Sequence, residues 1–275
     1  MLEDLINAGV NSMKEVPKEL YGDLVQSTAK ATGDVIGLVP QAVNAALLPL
    51  RKWIMEREYN YLETKKLLDK KLANVEPGNI ETPAAHIAVP ALQYISYCMD
   101  NEELRNMYAN LLANSMNKVV KNGVHPSFVE IIKQLSPDEA KLLKFMAKNE
   151  TAPGLSVRYE DSSGSGFRIV KNFSNYGELA GCEVPYNITS YFDNLLRLGL
   201  IEQGAALSSL TDKSVYEDLK KHNYIVGYAD VEALKNIPYN KVKFVESYVT
   251  MTEYGKEFNR ICVLGNDVSV MRVGK

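Results

Sequence analysis

"VPYNITSYFDNLLRLGLIEQ", residues 184–203, is the stretch whose reading decides the fold. Ile188, Phe192, Leu195 and Leu196 recur at helical spacing, Gly199 stops the helix, and Leu200 and Ile201 open a strand. Upstream, "SNYGELAGC" reads as a short helix, and "LSVRYEDSSGSGFRIV" as two β-prone runs around a Ser/Gly turn. The segment starts at "LSPDEAKLLKFMAKN". There Ser136 caps, Pro137 opens the helix, Glu139 completes a capping box, and Leu142, Leu143 and Met146 face inward. After a polar insertion, "KVKFVESYVTMTEYGKEFNRICV" gives a strand running into a helix capped by Thr252. Helix, short helix, helix ending LxxLGLI, strand, strand and helix is the order of a winged helix-turn-helix. The expectation is a winged-helix-like domain over 136–275.

A recognition helix in that domain would present Tyr186, Asn187, Thr189, Ser190, Tyr191 and Asn194, all able to hydrogen-bond to bases or phosphates. The helix carries one basic residue, Arg197, and Asp193 would repel phosphate. From Ser136 onward there are 17 Lys/Arg against 18 Asp/Glu, so no strong positive field is built in. A protein–protein or structural role is therefore favoured over nucleic-acid binding. Lys171, Lys241 and Lys243 are the best candidates for a nucleic-acid contact.

The chain before residue 136 reads as helix after helix, so the expected fold is mainly α: a helical bundle over 1–135 followed by the winged domain. "NYLETKKLLDKKLANV" sets Leu62, Leu67, Leu68, Leu72 and Val75 on one face, and "EPGN" ends it. Pro90 either starts a helix or kinks one, and "PALQYISYCMD" follows with Ala91, Tyr94, Ile95 and Cys98 on a stripe. In "NEELRNMYANLLANSMNKVV", with Asp100 as cap, residues Leu104, Met107, Tyr108, Leu111, Leu112, Ser115, Met116 and Val119 form the best-patterned stripe. "VHPSFVEIIKQL" supplies one more helix.

"DVIGLVPQAVNAALLPLRKW", residues 34–53, has no charge between Asp34 and Arg51. It is shorter than a membrane-spanning helix and holds Pro40, Gln41, Asn44 and Pro49. Val35, Leu38, Val39, Val43, Leu47 and Leu50 make an apolar stripe, with Trp53 just beyond. The stripe is a candidate interaction face, either buried against other helices or laid on a membrane surface.

With 31 basic and 34 acidic residues, the 275-residue chain has a formal charge of −3, which excludes a chain-wide basic field. Cys98, Cys182 and Cys262 are far apart and odd in number, which fits a reducing cytoplasm, and the acidic N-terminus does not read as a signal peptide. No GxSxG, P-loop, HExxH or paired CxxC is present. The histidines His86, His125 and His222 are dispersed, and a Cys98–His86 dyad is the one enzymatic arrangement left to weigh against a buried cysteine. No catalytic residue, cofactor or metal site is expected.

"VPQAVNAALLPLRKW", "PALQYISYCMDNEELRNMYANLLANSM" and "VHPSFVEIIKQLSPDEAKLLKFM" together resemble the abortive infection alpha family. The Pro-led helix, the D-x-x-E-L-R-x-M-x-A-x-L-L run and the H-P-S-F-x-x-I-x-x-Q-L-S-P-x-[DE]-A run carry the resemblance, well over residues 30 to 150 and more loosely beyond. It implies a bacterial or phage-related protein of phage defence by abortive infection, and it brings no catalytic residue to carry over. Two expectations follow. One is a non-enzymatic effector or adaptor, cytoplasmic or peripheral to the membrane, meeting a protein partner or phage component with the winged domain as sensor. The other is a DNA-binding regulator dimerised through its helical half.

Overall fold

The computed structural model describes residues 41–43, 45, 58–98, 100–205, 208–229 and 239–265. Of the opening stripe, Val43 is described, sits in a helix and is fully buried. Val35, Leu38, Val39, Leu47, Leu50 and Trp53 lie outside the described residues. The chain divides into two compact units, Met1–Leu135 with Arg260–Lys275, and Ser136–Asn259.

The first unit is helical: α1 Glu58–Leu72, α2 Ala85–Ile95, α3 Glu102–Met116 and α4 Ser127–Lys133. Pro90 lies within a continuous α2 rather than starting a new helix. The cap of α3 is Asn101, one residue later than expected; its side chain accepts the Leu104 amide at 3.0 Å, and Glu102 and Glu103 sit favourably in the first turn. Every residue from Met107 to Met116 is buried, so α3 is the unit's axis rather than a helix with one apolar stripe. Its buried polar groups are spent inside the unit. Asn110 Nδ2 donates to the carbonyls of Cys262 (2.8 Å) and Val263 (3.1 Å), and Asn114 Nδ2 to that of Ile261 (2.8 Å). These bonds tie down the π-helical turn Asn259–Leu264, which explains why the segment from Arg260 groups with the helices. Val119, expected inward, lies past the end of α3 and is exposed. Among the described residues, no helix is long and apolar enough to cross a membrane.

The second unit runs α5 Pro137–Met146, β1 Thr151–Glu160, β2 Gly166–Phe173, α6 Tyr176–Leu179, α7 Ile188–Arg197, β3 Ile201–Gln203, α8 Ser214–Lys220, α9 Asn223–Ala229, β4 Lys241–Met251 and α10 Glu253–Phe258. The strands form one antiparallel sheet in the order β2–β1–β4–β3. It is a curled, half-barrel sheet, and this overturns the mainly-α, winged-helix expectation. The physical reason lies in the pairing. β4 does not fold back on β3 as a short wing; it lies along all of β1, Thr151 opposite Thr250 through to Glu160 opposite Lys241, while β3 meets only Val249–Met251. The place of a wing turn is taken by α8 and α9, which pack on β1. The curl has a local cause as well. The β1/β2 register slips between Leu155 and Arg158, and Asn172 takes a positive φ of 47° there. A bulge bends its strand, and Asn tolerates that backbone better than most side chains.

Local signals behave as the side chains dictate. Ser136 Oγ accepts the Glu139 amide (3.2 Å) while Glu139 Oε2 takes the Ser136 amide (2.6 Å). At the end of α7, Gly199 adopts φ 71°, the Leu200 amide reaches the Leu195 carbonyl and the Gly199 amide that of Leu196. That pair of bonds is a Schellman ending. In α10, a Cβ on Gly255 would stand 1.9 Å from the Leu200 carbonyl oxygen, which is rigid backbone. Gly255→Ala is therefore expected to cost about 3 kcal/mol by overpacking. A denaturant midpoint equal to wild type would show that α10 does not approach β3 this closely.

Candidate functional site

The tip of the β1–β2 hairpin is held by Asp161. Its Oδ1 accepts the amides of Ser163 (2.8 Å) and Ser165 (3.0 Å) and the Ser163 hydroxyl (2.6 Å). Those bonds keep the Asp161 carboxyl below the usual range. A hairpin centred on Ser163 pairs Glu160 with Gly166, Tyr159 with Phe167 and Arg158 with Arg168. On the other side of β1, β4 sets Lys243 opposite Arg158 and Lys241 opposite Glu160. Arg168, Arg158 and Lys243 therefore form a row across three adjacent strands on one face, with Lys241 two residues from Lys243 on β4.

Glu160 is the anion within this cluster. Arg158 Nε donates to its carboxylate at 3.2 Å and Lys243 Nζ approaches at 3.3 Å. Burial pushes the Glu160 carboxyl up, and the bonds from Lys243 and Arg158 outweigh it and hold the group below the carboxylate range. Its side chain is 12% exposed, against 30% for Arg158 and 59% for Lys243. Arg168 and Lys241 are exposed and have no ion pair among the described residues. The opposite face of β1 is closed. Tyr159 donates from its hydroxyl to the Tyr228 carbonyl (3.0 Å) in α9, Tyr216 of α8 donates to the Ser247 carbonyl (2.8 Å), and Lys213 and Lys220 pair with Glu246. Farther along the polar face, Ser156 Oγ accepts the Asn172 amide (3.0 Å), and Asn172 Nδ2 donates to Gln203 (3.0 Å), which fixes the bulge.

The nominated residues of α7 and its approach are occupied differently. Thr189 donates its hydroxyl to the Lys171 carbonyl (2.6 Å), and Lys171 Nζ bonds both carboxylate oxygens of Asp193 (2.7 and 2.9 Å). Asn194 donates to Glu139 (2.8 Å) and accepts from Arg197 (2.6 Å). Tyr191 is buried, its hydroxyl on Asp138 Oδ2 (2.9 Å). Tyr186 stacks on Tyr224 (5.0 Å, 16°), which stacks on Phe173 (4.9 Å, 22°). Asn187 and Ser190 are exposed. Of the sequence candidates, Lys241 and Lys243 are brought together in the basic row. Arg158 and Arg168 were missed, because only a hairpin centred on Ser163, one residue before the middle of "SSGSG", pairs them.

His86 stands at the start of α2 and Cys98 just beyond its end, which puts them about 15 Å or more apart along the helix. Burial, then the Asp100 charge, raises the Cys98 thiol, and burial with Asp138 pushes Cys182 up to about 11. Neither thiol is activated as a nucleophile. Among the described residues, no group of three or more His, Cys, Asp or Glu could hold a metal ion.

The family model described as Abortive infection alpha matches residues 56–262. No curated protein matches the chain. Among solved structures, the chain is similar to an uncharacterized protein from the hydrocarbon-degrading marine bacterium Alcanivorax borkumensis SK2. The identity is 20%, with 48% of this chain and 88% of that chain covered, and the TM-score of 0.34 is too low to define a shared fold.

Proposed function

Because the chain belongs to the abortive infection alpha family, we propose that it is a bacterial phage-defence protein that acts by binding rather than by catalysis. The Ser136–Asn259 unit serves as sensor or adaptor, and the helical unit meets a protein or phage component. The family match, which spans residues of both units, carries this reading. The use of the buried polar side chains supports it. Asp138, Glu139, Asn110 and Asn114 are each spent on holding backbone or a neighbouring side chain. Expression in a phage-challenged host tests it: infected cells should die before they release progeny, and plaque counts should fall. The Cys98→Ser, His86→Ala double variant should protect as well as wild type. Unchanged plaque counts with wild type would sink the defence role; loss of protection in a folded double variant would sink the non-enzymatic one.

A further inference from the structure

We infer that the basic end of the sheet, Arg168, Arg158 and Lys243 in a row with Lys241 beside it, binds the phosphate backbone of single-stranded nucleic acid. This rests on the reading of the Ser136–Asn259 unit as a sensor and names what it senses. Like charges placed directly opposite on neighbouring strands destabilise a sheet, yet here Arg158 faces a cation on both sides. Glu160 compensates Arg158 and Lys243, and Asp161 turns its carboxylate to the amides of the hairpin tip. Arg168 and Lys241 are left to solvent. Four cations against those two carboxylates leave an excess of two positive charges on an open face, in a unit whose other residues are net acidic, 10 Lys/Arg against 15 Asp/Glu.

The layout selects the ligand. The row spans about 10 Å across neighbouring strands, and Lys243 and Lys241 are about 7 Å apart along β4. The cations do not converge on one point, as a lone phosphate would require; they suit a flexible chain with a charge at each repeat. A duplex is read by a helix or ribbon placed in a groove, whereas here Thr189, Asn194 and Arg197 of α7 are turned to β2, α5 and the helix's own turn.

Fluorescence anisotropy with the full-length chain tests the assignment. The probes are labelled mixed-sequence 20-nucleotide DNA and RNA single strands, the same DNA as duplex, and a polyglutamate peptide, titrated between 50 and 300 mM salt. Single strands should bind with a slope of log K against log salt of about −2 to −3, as three or four phosphate contacts require. Arg168→Glu with Lys241→Glu should weaken that binding at least tenfold and flatten the slope, with an unchanged melting temperature. The charge-matched control Lys70→Glu with Lys144→Glu should bind like wild type. No single-strand binding at 50 mM salt, equal loss in both double variants, or equal binding of polyglutamate would overturn the assignment. Tighter duplex binding would also overturn it. These outcomes are read in vitro and leave the plaque assay as an independent test of the defence role.

Discussion

Leu111→Ala is expected to lower the stability of the helical unit by about 2–5 kcal/mol. Leu111 is completely buried at the centre of α3, and its helical neighbours Tyr108, Leu112 and Ser115 are buried too. α1, α2 and α4 all pack on this helix, so the void cannot be closed by moving one side chain. Asn110 and Asn114, bonded to the carbonyls of Ile261 to Val263, further hold the helix in place. A urea titration followed by helical circular dichroism should show the first transition at lower denaturant with its slope retained. Val119→Ala, at an exposed position past the helix, should stay within about 0.5 kcal/mol of wild type. A Leu111→Ala protein with the wild-type midpoint would mean that α3 is not the core.

Asp138→Ala should cost the second unit about 3 kcal/mol at neutral pH, because it leaves several donors without their acceptor. The Asp138 carboxylate takes the amides of Glu183 (2.8 Å) and Val184 (3.0 Å) and the hydroxyl of Tyr191 (2.9 Å), with Lys141 at 3.4 Å. Together these pin the approach to α7 onto the first turn of α5. Burial pushes the carboxyl up, but the two amides, Tyr191 and Lys141 outweigh it and hold it below its ordinary value. A carboxyl depressed in the folded state stabilises above the unfolded value, about 3.9 for Asp, and loses that contribution as pH falls through the folded value. The gap in stability between wild type and Asp138→Asn should therefore be full at pH 7 and close below about pH 4. A gap that persists undiminished at pH 2 would show that the carboxylate's charge is not what holds this corner.

Much of the local structure was legible because it depends on neighbours in sequence. The capping box of Ser136 and Glu139, the left-handed ending at Gly199 and the Thr252 cap, whose Oγ1 accepts the Gly255 amide at 2.8 Å, each rest on residues a turn apart. The sheet was not legible in the same way. β1 pairs with β4 across a long stretch of chain, and nothing near Lys241 announces Glu160 as its partner. The order of elements around α7 favoured a winged helix, while long-range pairing and the α8–α9 insertion made a curled four-stranded sheet. The site shows the same division. Charge alone nominated Lys241 and Lys243, but Arg158 and Arg168 join them only once the hairpin and the β1–β4 register are known.

The measurement that bears most directly on the account is plaque formation on a host expressing the Arg168→Glu, Lys241→Glu protein, with folding verified by its melting temperature. If the Ser136–Asn259 unit senses infection through the basic end of its sheet, plaque counts should return to those of a host without the protein, while the Lys70→Glu, Lys144→Glu control still protects. Full protection by the folded, charge-reversed protein would contradict the account.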